Sequence, residues 1–464
     1  MPAAFIPGMP PVVTALHQEG LLERAFHESL YPQLLFRAEA MREEAEANIG
    51  TSIFMTRRGL LPAITRPVRA SDGEAIPQTL NYEQWVATLE RYWGAIDTSI
   101  TEARHALADT LGSNLQALGE QAGQSVNLIA RNALYSAYSG GHTTLIDAAL
   151  SADVTIHVSS LNGFRFVVTP GTNVAPAAVS SAIPLVISIA GVTGTRNVIA
   201  AAPDDSSDPD GPGVLTLSAS LGAGIAARSA VLSSARPRIL RAGGGTSVDA
   251  IGSSDIVTLQ DFINATIVLR NNRVAPHPDG TYHCHVPNDA HGQVFADPAF
   301  QRLNTALPDG ERYQTAFLGK LAGITFYANT ECPNVLNSGN TKATGANALY
   351  SAGIHAETVN EGGTSIGRAV VTGRNAMYER WFDAKKYVSE AGMNGQQGDF
   401  AVTNNGISID TEGVRLVLRA PVDRAMDLVG ALWDITTCFP VPSDVAAGGP
   451  EFYKRAVELE FALG

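Results

Sequence analysis

The chain has 464 residues, 45% of them hydrophobic and 17% charged, with 44 Gly and 25 Pro. A single hydrophobic core stops growing near ~250 to 300 residues, so two or three domains are expected, and this apolar content excludes a disordered polymer. The net charge of −13 excludes a dedicated nucleic-acid binder, whose affinity needs clustered Lys and Arg to release phosphate counterions.

In chain order, the start is rich in proline, at Pro2, Pro7, Pro10 and Pro11. It lacks the basic and continuous apolar stretches of a signal peptide, so no export is expected. The spacing from about Leu21 to Ala47 predicts a helix, with Glu43, Glu44 and Glu46 near its end, and 1–49 reads as an arm. Gly50 to Gly94 carries Pro62, Pro67 and Pro77, and the turn signal Ser71-Asp72-Gly73 separates two stretches that favour extended structure. This predicts a long two-armed hairpin with little core of its own. Its first arm carries Arg57, Arg58, Arg66 and Arg69, and its second places Trp85, Ala87, Leu89, Arg91 and Trp93 on one face.

The clearest helix follows. Apolar residues recur every three or four positions from Ile100 through Leu107, Leu111, Leu115, Leu118, Ala122, Val126 and Ile129 to Ala137. Gly112, Gly119 and Gly123 interrupt it, each costing about 1 kcal/mol against Ala, so a bend or a close backbone approach is expected there. Ser139-Gly140-Gly141 ends the helix.

Composition then shifts to Val, Ile, Thr, Ser, Ala and Gly from about Leu150 to Ser234. Short runs at Val154 to Val158, Phe164 to Thr169, Leu185 to Ile189 and Val214 to Leu217 alternate with turn signals. A small sandwich or barrel inserted into a host domain is predicted, bordered by Ser139 to Gly141 and Arg236-Pro237. The most apolar window, Ile183 to Ala190, is broken by Pro184 and falls far short of the ~20 residues that span a bilayer.

Beyond Gly243-Gly244-Gly245 the pattern is mixed. Thr258 with Asp261 predicts a capping box that opens a helix through Phe262, Ile263, Ile267 and Leu269. Tyr282 to Val286 reads as a strand and Asp289 to Asn304 as irregular or helical. Val414 to Leu418, Leu428 to Ile435 and Val457 to Phe461 read as strands of one closing sheet.

Three groups of residues raise a question of chemistry. His283, Cys284, His285 and His291, with Cys332, are the most metal-like cluster, yet on a strand Cys284 points away from His283 and His285, and no paired C-x-x-C is present. Packing histidines are the better reading, and no metal is expected. Gly363-Thr364-Ser365-Ile366-Gly367 matches a nucleophile elbow, but the last histidine is His355, so the order serine, acid, histidine fails. Asp204 to Gly211 lacks the closing carboxylate of a calcium loop. The three cysteines, Cys284, Cys332 and Cys438, are too few for a disulfide-stapled scaffold and suit a reducing cytoplasm. No catalytic residue and no cofactor is expected.

Four stretches carry a resemblance. They are the arm and extended loop before the long helix; Glu120-Gln121-Ala122-Gly123-Gln124-Ser125-Val126-Asn127-Leu128-Ile129-Ala130-Arg131-Asn132-Ala133-Leu134 closing that helix; Val257-Thr258-Leu259-Gln260-Asp261-Phe262 through Asn271-Asn272 to Gly280-Thr281-Tyr282; and Asp297-Pro298-Ala299-Phe300 followed by Gly319 to Thr325. Their order resembles the major capsid proteins of tailed bacteriophages, the Hong Kong 97-like fold, and more narrowly the coat family typified by the phage N-four capsid protein.

The resemblance implies an α+β chain with an N-terminal arm (1–49), an extended loop (50–99), a spine helix of a peripheral domain (100–140), an inserted β-rich domain (145–236), an axial domain (237–395) and C-terminal strands that return to the peripheral domain (396–464). It implies self-assembly into hexamers and pentamers of an icosahedral head enclosing double-stranded DNA, with scaffolding and portal proteins as further partners and no membrane. The chain would be made in the bacterial cytoplasm and reside in the virion. Arg57, Arg58, Arg66, Arg69, Trp85 and Trp93 are the inter-subunit contact candidates, the arginines facing acidic surfaces of the next copy. The acidic balance suits a container whose inner wall does not adsorb DNA. The alternatives are another phage structural protein, for decoration or the tail, and a surface-layer-like protein.

Overall fold

The computed structural model describes residues 21–30, 34–45, 50, 52–58, 61, 64–65, 78, 80, 82–99, 107–167, 176–305, 319–333, 354–360, 362–382, 402–403, 406–411, 413–419, 421, 428–444 and 452–463. It divides into two compact units, one formed by Met1–Phe54, Val86–Arg131 and Met377–Pro440, the other by Met55–Trp85, Asn132–Ala376 and Val441–Gly464.

In the first unit the segment predicted as one helix from Leu21 to Ala47 is several elements. Leu21–Leu30 is helical, Arg37–Glu39 is a 3-10 turn, and Ala40–Glu44 is a strand parallel to Met377–Trp381. The physical reason lies in the charges. Arg37 donates to both carboxylate oxygens of the fully buried Glu379, at 2.9 and 3.0 Å from its Nε, and Arg42 approaches the same carboxylate at 3.0 Å. A desolvated carboxylate is tolerated only with its cations held in place, and strand pairing holds Arg42 where a continued helix would rotate it away.

The sheet of this unit is organised by the long strand Leu428–Cys438. One edge pairs antiparallel with Glu90–Ser99 from Leu428↔Ser99 to Thr437↔Glu90; the other pairs with Val414–Arg419 and, at Thr437 and Cys438, with Met377–Trp381. Val429, Ala431, Trp433 and Ile435 point to the buried face, as a strand period of two requires. The helix Leu107–Ser139 covers this face: Gln121 Oε1 accepts from Trp433 Nε1 at 3.3 Å, and Asn114 donates to Thr98 at 2.8 Å. Its buried stripe, Leu111, Leu115, Leu118, Ala122, Val126, Ala130 and Leu134, follows the predicted spacing; the expected start at Ile100 lies outside the described residues. Gly119 marks a close approach, since a Cβ there would meet Phe26 O of helix Leu21–Leu30 at 2.8 Å, whereas Gly112 has nothing near it.

The second unit holds a mixed sheet in the order Ile239–Arg241, Ala456–Ala462, Ile366–Thr372, Tyr282–Val286, Ile324–Ala328, Lys320–Leu321. The adjacent strands Ile366–Thr372 and Ala456–Ala462 are buried throughout. Alternation sorts their residues. Ala369, Val371, Val457, Leu459 and Phe461 join Phe262, Leu269 and Val294 in an apolar core, whereas Arg368, Glu458 and Glu460 face the other way. Ala456–Ala462 thus does not share a sheet with Val414–Arg419 and Leu428–Cys438, contrary to the expectation of one closing sheet. Its two glutamates need cations, which Arg368 and Arg241 provide on the neighbouring strands. Helix Leu259–Asn271 opens as predicted: the Thr258 amide and hydroxyl both donate to Asp261, at 2.9 and 2.8 Å. Asn288–Ala296 and Pro298–Thr305 are helices.

The β-rich stretch is a barrel. Six strands run in the order His142–Thr144, Ala230–Ser233, Leu185–Ile189, Thr195–Pro203, Gly213–Leu217, Thr155–Val158, each pair antiparallel. The end strands then meet: the Ile146 amide donates to His157 O and the Ser159 amide to Thr144 O, both at 2.9 Å, and Leu145 bridges Val158. Closure satisfies the backbone groups that an open edge would leave free. Phe164 to Thr169 is not the single strand predicted. Phe164 drops fully buried into the barrel core, and among the described residues of the run Phe166–Val167 pairs, with Ala177–Ala178. The Asn162-Gly163 turn packs backbone on backbone: Gly163 has φ 78°, and a Cβ there would lie 2.3 Å from Gly141 N.

Candidate assembly surfaces

Strands Ser52–Arg58 and Tyr82–Thr88 form a two-stranded ribbon, the arms expected on either side of Ser71-Asp72-Gly73. That turn lies outside the described residues, as do Arg66 and Arg69. Alternation gives the ribbon two faces. Ile53, Met55, Glu83 and Ala87 are buried, with Trp85 half-buried on the same side. Phe54, Thr56, Arg58, Tyr82 and Val86 are exposed, and Gln84 donates to Thr56 at 3.2 Å on that outward side. Phe54 is 66% exposed, Tyr82 50% and Val86 47%. Large apolar side chains are exposed singly on most proteins, but three on one side of a two-stranded ribbon form a patch.

The buried side of the ribbon is fastened to the C-terminal segment of the second unit. Arg57 Nη1 lies 2.6 Å from Asp444 Oδ1, and Arg455 reaches the same oxygen at 3.1 Å. Ser443 donates to Glu83 at 3.2 Å. Asp444 is 1% exposed and sits at φ 59°, a left-handed conformation that costs a non-glycine residue energy. Burial pushes its carboxyl up to about 7 against the pull of Arg57, and Glu83 adds to the rise. Arg57 is therefore engaged inside the chain, whereas Arg58 is exposed.

The expectation that Trp85, Ala87, Leu89, Arg91 and Trp93 share one face fails because the run breaks at Leu89. Tyr82–Thr88 belongs to the ribbon, and Glu90–Ser99 joins the sheet of the first unit. There Trp93 is 65% exposed and stands opposite Asp434 on the neighbouring strand. Arg415 donates to Asp434 at 2.7 Å and Arg91 at 3.0 Å. Burial alone would raise the Asp434 carboxyl, but these two guanidinium groups hold it below its ordinary value. Trp93 is thus mounted beside a fixed charge cluster, an arrangement suited to an interface anchor. Sequence reasoning missed Asp434, Asp444 and Glu379, since each is paired with a cation hundreds of residues away, Arg91, Arg57 and Arg37, and nothing local marks that pairing.

The candidate chemical residues remain apart. His283 stacks on His277 at 3.8 Å, His285 stacks on Tyr327 at 5.6 Å, and Cys284 and Cys332 are buried. Among the described residues, His283, His285, His291 and Cys332 do not gather as a ligand set. Ser365 pairs with Val359 and leads into strand Ile366–Thr372, not into the helix a nucleophile elbow requires. His355 Nε2 lies 3.4 Å from Asp208. Among the described residues no helix is long and apolar enough to cross a membrane.

No protein-family model matches the chain, and no curated protein matches it. Solved structures to which it is similar include phage capsids. The capsid of Ralstonia phage GP4 is 11% identical, with a TM-score of 0.45 over 92% of this chain and 87% of that one. The capsid of cyanophage P-SCSP1u is 9% identical, with a TM-score of 0.45 over 93% and 89%. The acid-stable capsid of Helicobacter pylori bacteriophage KHP30 is 8% identical, with a TM-score of 0.46 over 92% and 88%.

Proposed function

We propose that the chain is the major capsid protein of a tailed bacteriophage with the Hong Kong 97-like fold, a subunit that assembles through its own copies into hexamers and pentamers of a DNA-filled head. The observation that carries this reading is the ribbon. Its outward face leaves Phe54, Tyr82 and Val86 in solvent, although ordering each residue of such an arm costs about 1 to 2 kcal/mol of backbone entropy. A monomer recovers little of that cost from this face; a neighbouring copy that covers it does. Repeated contacts of one patch with a different patch on the next copy close into rings, and rings into a shell.

Trp93 and Arg58 serve as further contact points, with Trp85 half-buried behind the ribbon, and Arg66 and Arg69 are placed by the sequence on the same loop. Arg57 contributes from the inside, by holding the ribbon to Asp444. The net charge of −13 suits a container that encloses double-stranded DNA without adsorbing it, and scaffolding and portal proteins are the expected assembly partners. Electron microscopy of the purified chain tests the reading: closed shells, tubes or capsomer rings support it, and a dispersed monomer at every concentration overturns it.

A further inference from the structure

The barrel and its host in the second unit have separate cores. The barrel core is drawn entirely from Leu145 to Val231, and the host core from Ala242 onward. Charged side chains cross between them. Arg228, at the end of the barrel, donates to both oxygens of Glu357 at 3.0 and 2.8 Å and to Asp249 at 2.7 Å. Thr144 donates to Glu357 at 2.5 Å, and Asp208 of the barrel lies 3.4 Å from His355.

Two of these residues are held in strain. Arg228 has φ 66° and His355 has φ 50°, left-handed conformations that non-glycine residues adopt at a cost and that persist where surrounding contacts impose them. The junction is also incompletely satisfied. It encloses a cavity of about 30 Å³ where the hydroxyls of Thr143, Ser159, Thr246 and Ser247 meet the apolar Leu232, Ile239 and Val248. The buried Nε of Arg228 and Nδ1 of His142 have no hydrogen-bond partner among the described residues. A partly satisfied polar seam binds less tightly than an apolar seam of the same area. The two chain connections, by contrast, are short: entry through Gly140 and Gly141, the latter at φ 75°, and exit through Arg236-Pro237.

We infer that the barrel is a hinged module, clasped to its host by Arg228 with Glu357 and Asp249 and by Asp208 with His355, and that the clasp opens while both cores stay folded. This goes beyond the shell-forming reading and does not depend on it, since it concerns one copy of the chain. The barrel changes its attitude by pivoting on the glycine and proline connections, and the strain stored at Arg228 and His355 is relieved when it does.

Hydrogen exchange on the full chain tests this, with Glu357→Lys, which sets like charges against each other across the junction, and the milder Glu357→Gln. The expected result is at least tenfold faster exchange in 226–229 and 354–358 for Glu357→Lys, a smaller rise for Glu357→Gln, and unchanged protection in Gly213–Leu217 and Ala456–Ala462. Loss of protection in both core strands together, in either variant, would mean that barrel and host fold as one cooperative unit and would overturn the inference. So would unchanged exchange at the junction in the two variants.

Discussion

Arg57 and Asp444, one near the start of the chain and the other near its end, meet at 2.6 Å in a site where Asp444 is almost wholly buried. The contact anchors the ribbon before any neighbour is present. Removing one member of a buried pair strands the other charge, at a typical cost of 3 to 5 kcal/mol, roughly. Because Arg455 still reaches Asp444 and a carboxyl already raised to about 7 takes up a proton, Arg57→Met is expected below that range, about 2 kcal/mol. Denaturant unfolding of the unassembled chain measures it, and a loss within experimental error would show that the pair contributes nothing to the anchor.

The same site sets a pH dependence. Burial raises Asp444 to about 7 and Glu458 also to about 7, above the ordinary carboxylate range that both have when unfolded. The folded state therefore binds these protons more tightly, and their stabilising contribution is present at low pH and fades as pH rises through about 7. The melting temperature is expected to fall between pH 5 and pH 8, roughly, with Asp444→Asn showing a shallower fall than the parent. An identical slope in the variant would remove Asp444 as a source of the effect.

The outward ribbon face separates assembly from folding. Phe54→Ser with Val86→Ser, and independently Trp93→Ala, alter exposed side chains, so each substitution is expected to change the stability of the unassembled chain by no more than about 0.5 kcal/mol. Assembly is expected to fail or to need a much higher protein concentration. Sedimentation velocity with electron microscopy reads both, and full assembly by both variants would place the subunit contacts elsewhere.

Much of this was legible in the sequence. The helix Leu107–Ser139, strand Tyr282–Val286 and the capping box at Thr258 follow from local spacing and local hydrogen bonds, which a linear reading captures. What escaped it was set by distant partners. Ala40–Glu44 is a strand because Met377–Trp381 lies beside it and Glu379 needs cations, and Ala456–Ala462 leaves its expected sheet because Arg368 and Arg241 stand elsewhere. The break at Leu89 was hidden because the alternation of apolar residues continues across it while the pairing partner changes. Exposed Trp93 and Phe54 were visible as residue types, but their exposure was not.

In the barrel, the fully buried Leu215 on Gly213–Leu217 packs with Phe164, Ile187 and Val198. Truncating such a side chain removes transfer energy and leaves a cavity, so Leu215→Ala is expected to cost about 2 to 5 kcal/mol. Calorimetry is expected to show the loss in one transition, with that of the host core from Ala242 onward unmoved. A shift of both would contradict the separation of the barrel and host cores.

The closed seam between His142–Thr144 and Thr155–Val158 also bears on crowding. An open sheet edge on copies brought close together would offer each a template for uncontrolled strand addition, the route by which dense β-proteins aggregate. With its ladder joined end to end, the six-stranded barrel offers a neighbour no free edge among its six strands, so its surface can vary in sequence without turning close quarters into a fibre.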